Sequence, residues 1–196
     1  MNDRIRVLQQ VLLARPPAQI VRDSSRREAA VALLLRPRAE LELLLIKRAV
    51  HDRDPWSGHM ALPGGRRSTG DVDLRATAYR ETEEEIGIAL ADHGEYLGAL
   101  DEVAPVAPRL PPLIIAPFVV AVPEAIEPLS SSHEVEFAVW VPLSALRDPG
   151  AAGEMLFHFE GESRSLPSLH YGEHVIWGLT LRILNQFFEV LHSCGI

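Results

Sequence analysis

Leu62-Pro63-Gly64-Gly65 and, after fourteen further residues, Arg80-Glu81-Thr82-Glu83-Glu84-Glu85-Ile86-Gly87-Ile88 are the two stretches whose joint reading decides the fold. The second lies at the end of a helix predicted over Val72–Ile86, which Gly87 stops as a C-terminal cap. At 100° per residue, Glu81, Glu84 and Glu85 share one helix face and Glu83 points elsewhere. Like charges at this spacing repel, and at a helix C-terminus the macrodipole disfavours them again. Taken alone, such a run reads as a solvated acidic face. The glycine pair changes the balance, because it lets backbone groups approach a metal or phosphate closely. A divalent cation would relieve the repulsion, and three carboxylates are hard ligands suited to Mg2+ or Mn2+ rather than zinc. Arg80, four residues before Glu84, is placed to hold that carboxylate.

Working outward, Glu28–Leu35 and Leu41–Ile46 are nearly continuous apolar runs joined by Pro37-Arg38-Ala39-Glu40, a buried hairpin. Ile5–Leu13 has the spacing of a short amphipathic helix, ended by Pro16-Pro17. Glu95–Leu100, Ile114–Val122, Glu134–Val141 and Met155–Phe159 read as strands. Pro105, Pro108, Pro111 and Pro112 mark an irregular connection. Tyr171–Leu191 reads as a C-terminal helix with Trp177 in its core. The expected class is α/β in the mixed, α+β sense: a mixed sheet sandwiched between helices.

At 196 residues the chain is the size of one domain. Its 47% hydrophobic and 23% charged residues exclude a disordered or fibrous chain. No apolar run is long enough to span a membrane, and the first residues lack the pattern of a secretory signal. One cysteine, Cys194, excludes an internal disulfide and a cysteine–zinc cluster, which fits a cytoplasmic setting. Net charge is −8, the wrong sign for a general nucleic-acid binder. Lys47 is the one lysine beside eighteen arginines, and arginine is the better planar phosphate clamp. His51, His59, His170 and His174 show no zinc spacing.

Gly65, Arg80-Glu81, Glu84-Glu85 and Gly87-Ile88 resemble the Nudix box, the signature of hydrolases that cleave a nucleoside diphosphate linked to another group. The resemblance implies a Nudix fold over residues 1–196 as a single domain. The N-terminal helix (about 2–14) and C-terminal helix (about 171–191) would then be family-type additions. It also implies metal ligands at Glu81, Glu84 and Glu85, with the Gly65 backbone as a further ligand, and places Arg80 with the three glutamates in the catalytic set. The chain departs from the box in three ways. It carries one extra residue between the opening glycine and the arginine, Asp71 or Asp73 stands for the isolated glutamate, and Thr82 replaces an aliphatic residue.

Two flanking stretches resemble the coenzyme A pyrophosphatase branch. Upstream are Leu44-Leu45-Ile46-Lys47-Arg48-Ala49, Arg53, Gly58 and Leu62-Pro63-Gly64-Gly65; downstream is Ile176-Trp177-Gly178-Leu179-Thr180. Ile46 and Leu62 depart from the threonine and phenylalanine usual there, and the Arg53–Gly58 spacing is one residue longer. The branch implies Mg2+- or Mn2+-assisted hydrolysis of coenzyme A to 3′,5′-ADP and 4′-phosphopantetheine. Arg48, Arg53, Arg66 and Arg67 flank the glycine turn as candidates for the substrate phosphates, with Trp56, Met60 or Tyr171 for the pantetheine arm. One helix glutamate, or Glu134 or Glu136, would take the proton from water. The implied partner is a small molecule, with no nucleic acid or membrane, acted on by a monomer or homodimer. Two other readings compete. One is a Nudix pyrophosphatase acting on ADP-ribose, NADH, dinucleoside polyphosphates or an oxidised nucleotide. The other is a nucleotide-binding Nudix module without catalysis, which would be expected to lose box carboxylates.

Overall fold

The apolar run at residue 28 forms the longest strand, β1 (Arg27–Pro37). Its near-continuous burial follows from its position, paired on both edges and covered on both faces. The computed structural model describes residues 2–23, 25–50, 58–105, 112–129, 132–159 and 162–196.

Helix α1 (Asp3–Ala14) precedes β1 and is capped by the Asn2 side chain accepting from Arg4 N–H. β1 turns into β2 (Leu41–Arg48) as the expected antiparallel hairpin, with Leu35 facing Leu43. Next come the short strands β3 (Met60–Ala61) and β4 (Gly64–Arg66), then α2 (Leu74–Ile86), a single-turn α3 (Leu90–His93) and β5 (Glu95–Ala99). β6 (Leu113–Ala121), β7 (Val135–Pro142), the short α4 (Leu143–Arg147) and a 3-10 turn (Pro149–Ala151) follow. The chain ends with β8 (Ala152–Phe159), β9 (Glu162–Tyr171), β10 (His174–Trp177) and α5 (Gly178–Ser193).

The main sheet runs β3-β2-β1-β6-β5, with β4 also on β1 and β7 also on β2. β1 and β6 are parallel and the other pairs antiparallel, so the sheet is mixed as expected. The pleat divides two cores. Ala30, Ala32 and Leu34 face Ala78 and Ile86 of α2. Ala29, Leu33 and Leu35 face Leu8 of α1 and Leu184 and Phe187 of α5. Among the described residues no helix is long and apolar enough to cross a membrane.

The C-terminal helix departs from expectation. It begins at Gly178, not Tyr171, and residues 171–177 complete a separate three-stranded sheet, β8-β9-β10. Gly172 (φ +58°) turns β9 into β10, and Gly178 (φ +62°) redirects the chain into α5. Trp177 is therefore a strand residue, half-buried rather than core.

Candidate active site

The glycine turn and α2 meet through two glycines with different constraints. Gly64 has φ +146°, and a Cβ there would overlap the Ala30 carbonyl and the Val31 backbone of β1. At Gly65 a Cβ would instead overlap the Glu81 carboxylate. Gly64 lets the turn lie on β1, whereas Gly65 lets a helix glutamate lie on the turn.

α2 starts where Asp73 caps it, accepting from Ala76 N–H at 2.7 Å, and stops at Gly87 in the left-handed conformation (φ +69°). Between these ends the three glutamates lie at graded depth. Glu85 is 3% exposed, Glu81 is half-buried, and the Glu84 side chain is 59% exposed. Glu85 accepts from Gly64 N–H at 2.8 Å. Burial pushes its carboxyl up to about 7 against the pull of that N–H and of Arg48, while Glu81 and Glu134 repel it further. Burial also raises Glu81, with Arg80 opposing and Glu84 and Glu134 adding to the rise. Glu134, outside the helix, thus bears on both buried carboxylates. Its carbonyl accepts from Ala49 N–H at 2.8 Å, which anchors it beside the end of β2.

Asp71 behaves in the opposite way. Its carboxylate takes two bonds from Arg80, Nε to Oδ1 at 2.9 Å and Nη2 to Oδ2 at 3.0 Å. Ser68 N–H and the Thr77 hydroxyl complete its shell. The Arg80 hydrogen bond, above all, holds Asp71 well below the usual carboxylate range. Asp71 is therefore the carboxylate that Arg80 holds, and Asp73 is a helix cap. Arg80 Nη2 also donates to the Arg66 carbonyl at 3.1 Å. Its Nη1 lies 2.9 Å from Glu81 Oε1 and 2.9 Å from Glu84 Oε2, so the expected Arg80–Glu84 pair is present. Thr82 is tolerated at a buried position because its hydroxyl donates to the Ala78 carbonyl at 2.7 Å.

The donor chemistry fits a hard cation, since carboxylates raised by burial and mutual repulsion would be relieved by one. Among the described residues no three His, Cys, Asp or Glu side chains converge on one point; Arg80 bridges Glu81 and Glu84 instead.

The arginines divide. Arg48 stands at the end of β2 within electrostatic reach of Glu85. Arg66 and Arg67 line a cleft together with Arg26 and Arg27, two residues the sequence reading passed over. Arg67 is engaged by Glu28 at 2.8 Å. Arg53, His51 and Trp56 lie outside the described residues. His170 faces the Ser168 hydroxyl at 2.9 Å, and His174 packs on Phe137. Met60 is buried in the core under α5, and Tyr171 packs against that core.

The two flanking stretches, more than a hundred residues apart in sequence, meet in space. The His59 and Trp177 rings pack edge to face at 4.8 Å, and the Thr180 hydroxyl donates to the Met60 carbonyl at 3.3 Å. Phe157 also packs on Trp177, with ring centroids 5.1 Å apart.

Known proteins share this architecture. A MutT/nudix family protein from Enterococcus faecalis superposes with a TM-score of 0.58 at 20% identity, over 88% of this chain and 65% of that one, which defines the fold class. The NUDIX domain model matches residues 25–159, and the chain belongs to that family. It is 30% identical to the "Uncharacterized Nudix hydrolase NudL" of Salmonella paratyphi B, over 83% of this chain and 81% of that protein. A Schizosaccharomyces pombe protein, C14C4.10c, is 44% identical over 110 residues, which span 55% of this chain and 33% of that protein. Membership of this family implies hydrolysis of the pyrophosphate of nucleoside diphosphate derivatives, and Nudix hydrolases generally require a divalent metal ion.

Proposed function

We propose that the chain hydrolyses the pyrophosphate of coenzyme A to 3′,5′-ADP and 4′-phosphopantetheine. The observation that carries this reading is the contact of Trp177 and Thr180 with His59 and Met60. These contacts join the two segments that resemble the coenzyme A pyrophosphatase branch, close in sequence to the glycine turn.

Glu81, Glu84, Glu85 and the Gly65 carbonyl would hold Mg2+ or Mn2+. When bound, the ion neutralises phosphoryl oxygens and makes water more acidic. Arg80 positions the glutamates by bridging Glu81 and Glu84 while its other nitrogens are locked on Asp71. Arg48, beside Glu85, carries positive charge to the pyrophosphate; Arg67, held by Glu28, contributes least. A carboxylate must take the proton from the attacking water. The candidates are the helix glutamates and, outside the helix, Glu134, which bears electrostatically on Glu81 and Glu85. We read residues 1–196 as one Nudix unit, because α1 and α5 pack into the same core as β1.

The test is a product analysis. Wild type and Glu85→Gln are incubated with coenzyme A, ADP-ribose, NADH and 8-oxo-dGTP in Mg2+ and in Mn2+, and the products are resolved by chromatography with mass detection. The expected products are 3′,5′-ADP and 4′-phosphopantetheine, largely abolished in the variant. Preference for another substrate would overturn the coenzyme A reading, and no cleavage with either metal would favour a binding module.

A further inference from the structure

Ala29 faces Arg66 across the antiparallel β1/β4 pair. Arg27 lies two residues before Ala29, so Arg27 and Arg66 share one sheet face as diagonal neighbours, about 7–8 Å apart. It is the face away from α2, since Ala29 belongs to the core beneath α1 and α5. Both arginines are exposed and open on a cleft of about 580 Å3 that Arg26, Glu28, Arg67 and Asp71 also line.

The charges in this cleft do not cancel. Arg26 is paired with Asp23 at 3.0 Å and Arg67 with Glu28 at 2.8 Å. Glu28 also receives Arg22 at 3.1 Å, and Asp71 is saturated by Arg80. Every carboxylate of the cleft is thereby committed, and among the described residues Arg27 and Arg66 have no carboxylate partner. Two adjacent guanidiniums without a counter-ion, in a chain of net charge −8, form a local anion site. Their planar forks suit the oxygens of a phosphate monoester. The site is also tethered to the carboxylates, because Arg66 follows Gly65, on which Glu81 packs.

We propose that Arg27 and Arg66 form a subsite for a phosphate monoester carried by the substrate's nucleotide, separate from the pyrophosphate that is cleaved. For coenzyme A this is the 3′-phosphate of the ribose. The choice of nucleotide rests on the coenzyme A reading above; the anion subsite itself does not.

The test is calorimetric titration of the full chain, in Mg2+, with 3′,5′-ADP and with 5′-AMP, which differ by that phosphate alone. The wild type is expected to bind 3′,5′-ADP roughly tenfold more tightly. Arg27→Ala and Arg66→Ala should each narrow the ratio, and the double variant should bring it to about one. Arg27→Lys, which keeps the charge and loses the fork, should retain part of the preference. Equal affinities in the wild type, or a preference that survives in the folded double variant, would overturn the subsite. Coenzyme A hydrolysis is read separately. A preference without cleavage sinks the substrate reading alone, and cleavage without a preference sinks the subsite alone.

Discussion

The two ends of the box handle charge in opposite ways. At one end, Asp71 is almost fully enclosed, with 6% of its side chain exposed, yet both its oxygens are satisfied and its carboxyl is held low. At the other, Glu85 is equally enclosed but has one backbone N–H, one arginine in electrostatic reach and two repelling carboxylates, and its carboxyl is pushed up to about 7. A buried charge that is fully hydrogen-bonded serves architecture, whereas one left undercompensated costs stability and marks a place where something else is to bind. Arg80 links the two ends, anchored on Asp71 and extended to Glu81 and Glu84.

Glu85→Gln separates activity from stability most sharply. It should lower kcat/KM on the order of 10²–10³-fold, as removal of a transition-state stabilising group does. The metal-free protein should stay as stable at pH 7.5 or become more so, because a buried charge is removed. Steady-state kinetics and thermal unfolding in EDTA check both. The glycines come next. Gly65→Ala should displace Glu81 and reduce kcat/KM by roughly 10²-fold, the cost of misplacing a reacting group by about an ångström. Gly64→Ala forces an alanine to φ +146° and into the β1 backbone, so it should destabilise the fold by more than about 3 kcal/mol, read by urea unfolding. If the two alanines behave alike, the division between fold and site at this turn is wrong.

Much of this was legible in sequence, and the physical reasons for the rest are specific. The hairpin of β1 and β2 and the span of α2 follow from apolar runs, a glycine stop and local turns. The Arg80–Glu84 pair follows from helical spacing. Residues 171–177 were misread because Tyr171, Val175, Ile176 and Trp177 continue the apolar pattern of α5. The break is made by two glycines at positive φ, whose effect depends on the strand beside them. Spacing alone does not tell which of Asp71 and Asp73 Arg80 reaches, because the turn before α2 decides it. Arg27 escaped notice because its neighbour Arg66 is brought to it by strand pairing across the sequence.

Smaller effects sharpen the comparison. Asp71→Asn, by releasing Arg80, should cost about 2 kcal/mol at neutral pH, seen in chemical denaturation. The pH dependence has opposite signs at the two ends. Glu85 keeps its proton in the folded protein through a range where the unfolded chain has lost it. Metal-free stability should therefore fall as pH rises from about 4.5 to about 7, by at most about 3 kcal/mol. Glu85→Gln should flatten that slope. Asp71 acts in the other direction. Its contribution is present above its ordinary range near 3.8 and is lost as pH falls below it, a limb that Asp71→Asn should remove.

The central claim is that the undercompensated carboxylates of α2 are where the divalent ion binds. The most direct test is Mn2+ titration followed by thermal unfolding, for wild type and Glu85→Gln at pH 7.5. The account predicts a midpoint that climbs with Mn2+ concentration in the wild type, as binding to the native state alone requires, and at least tenfold more Mn2+ for the same shift in the variant. A wild-type midpoint that ignores Mn2+, or a variant that responds as the wild type does, would contradict it.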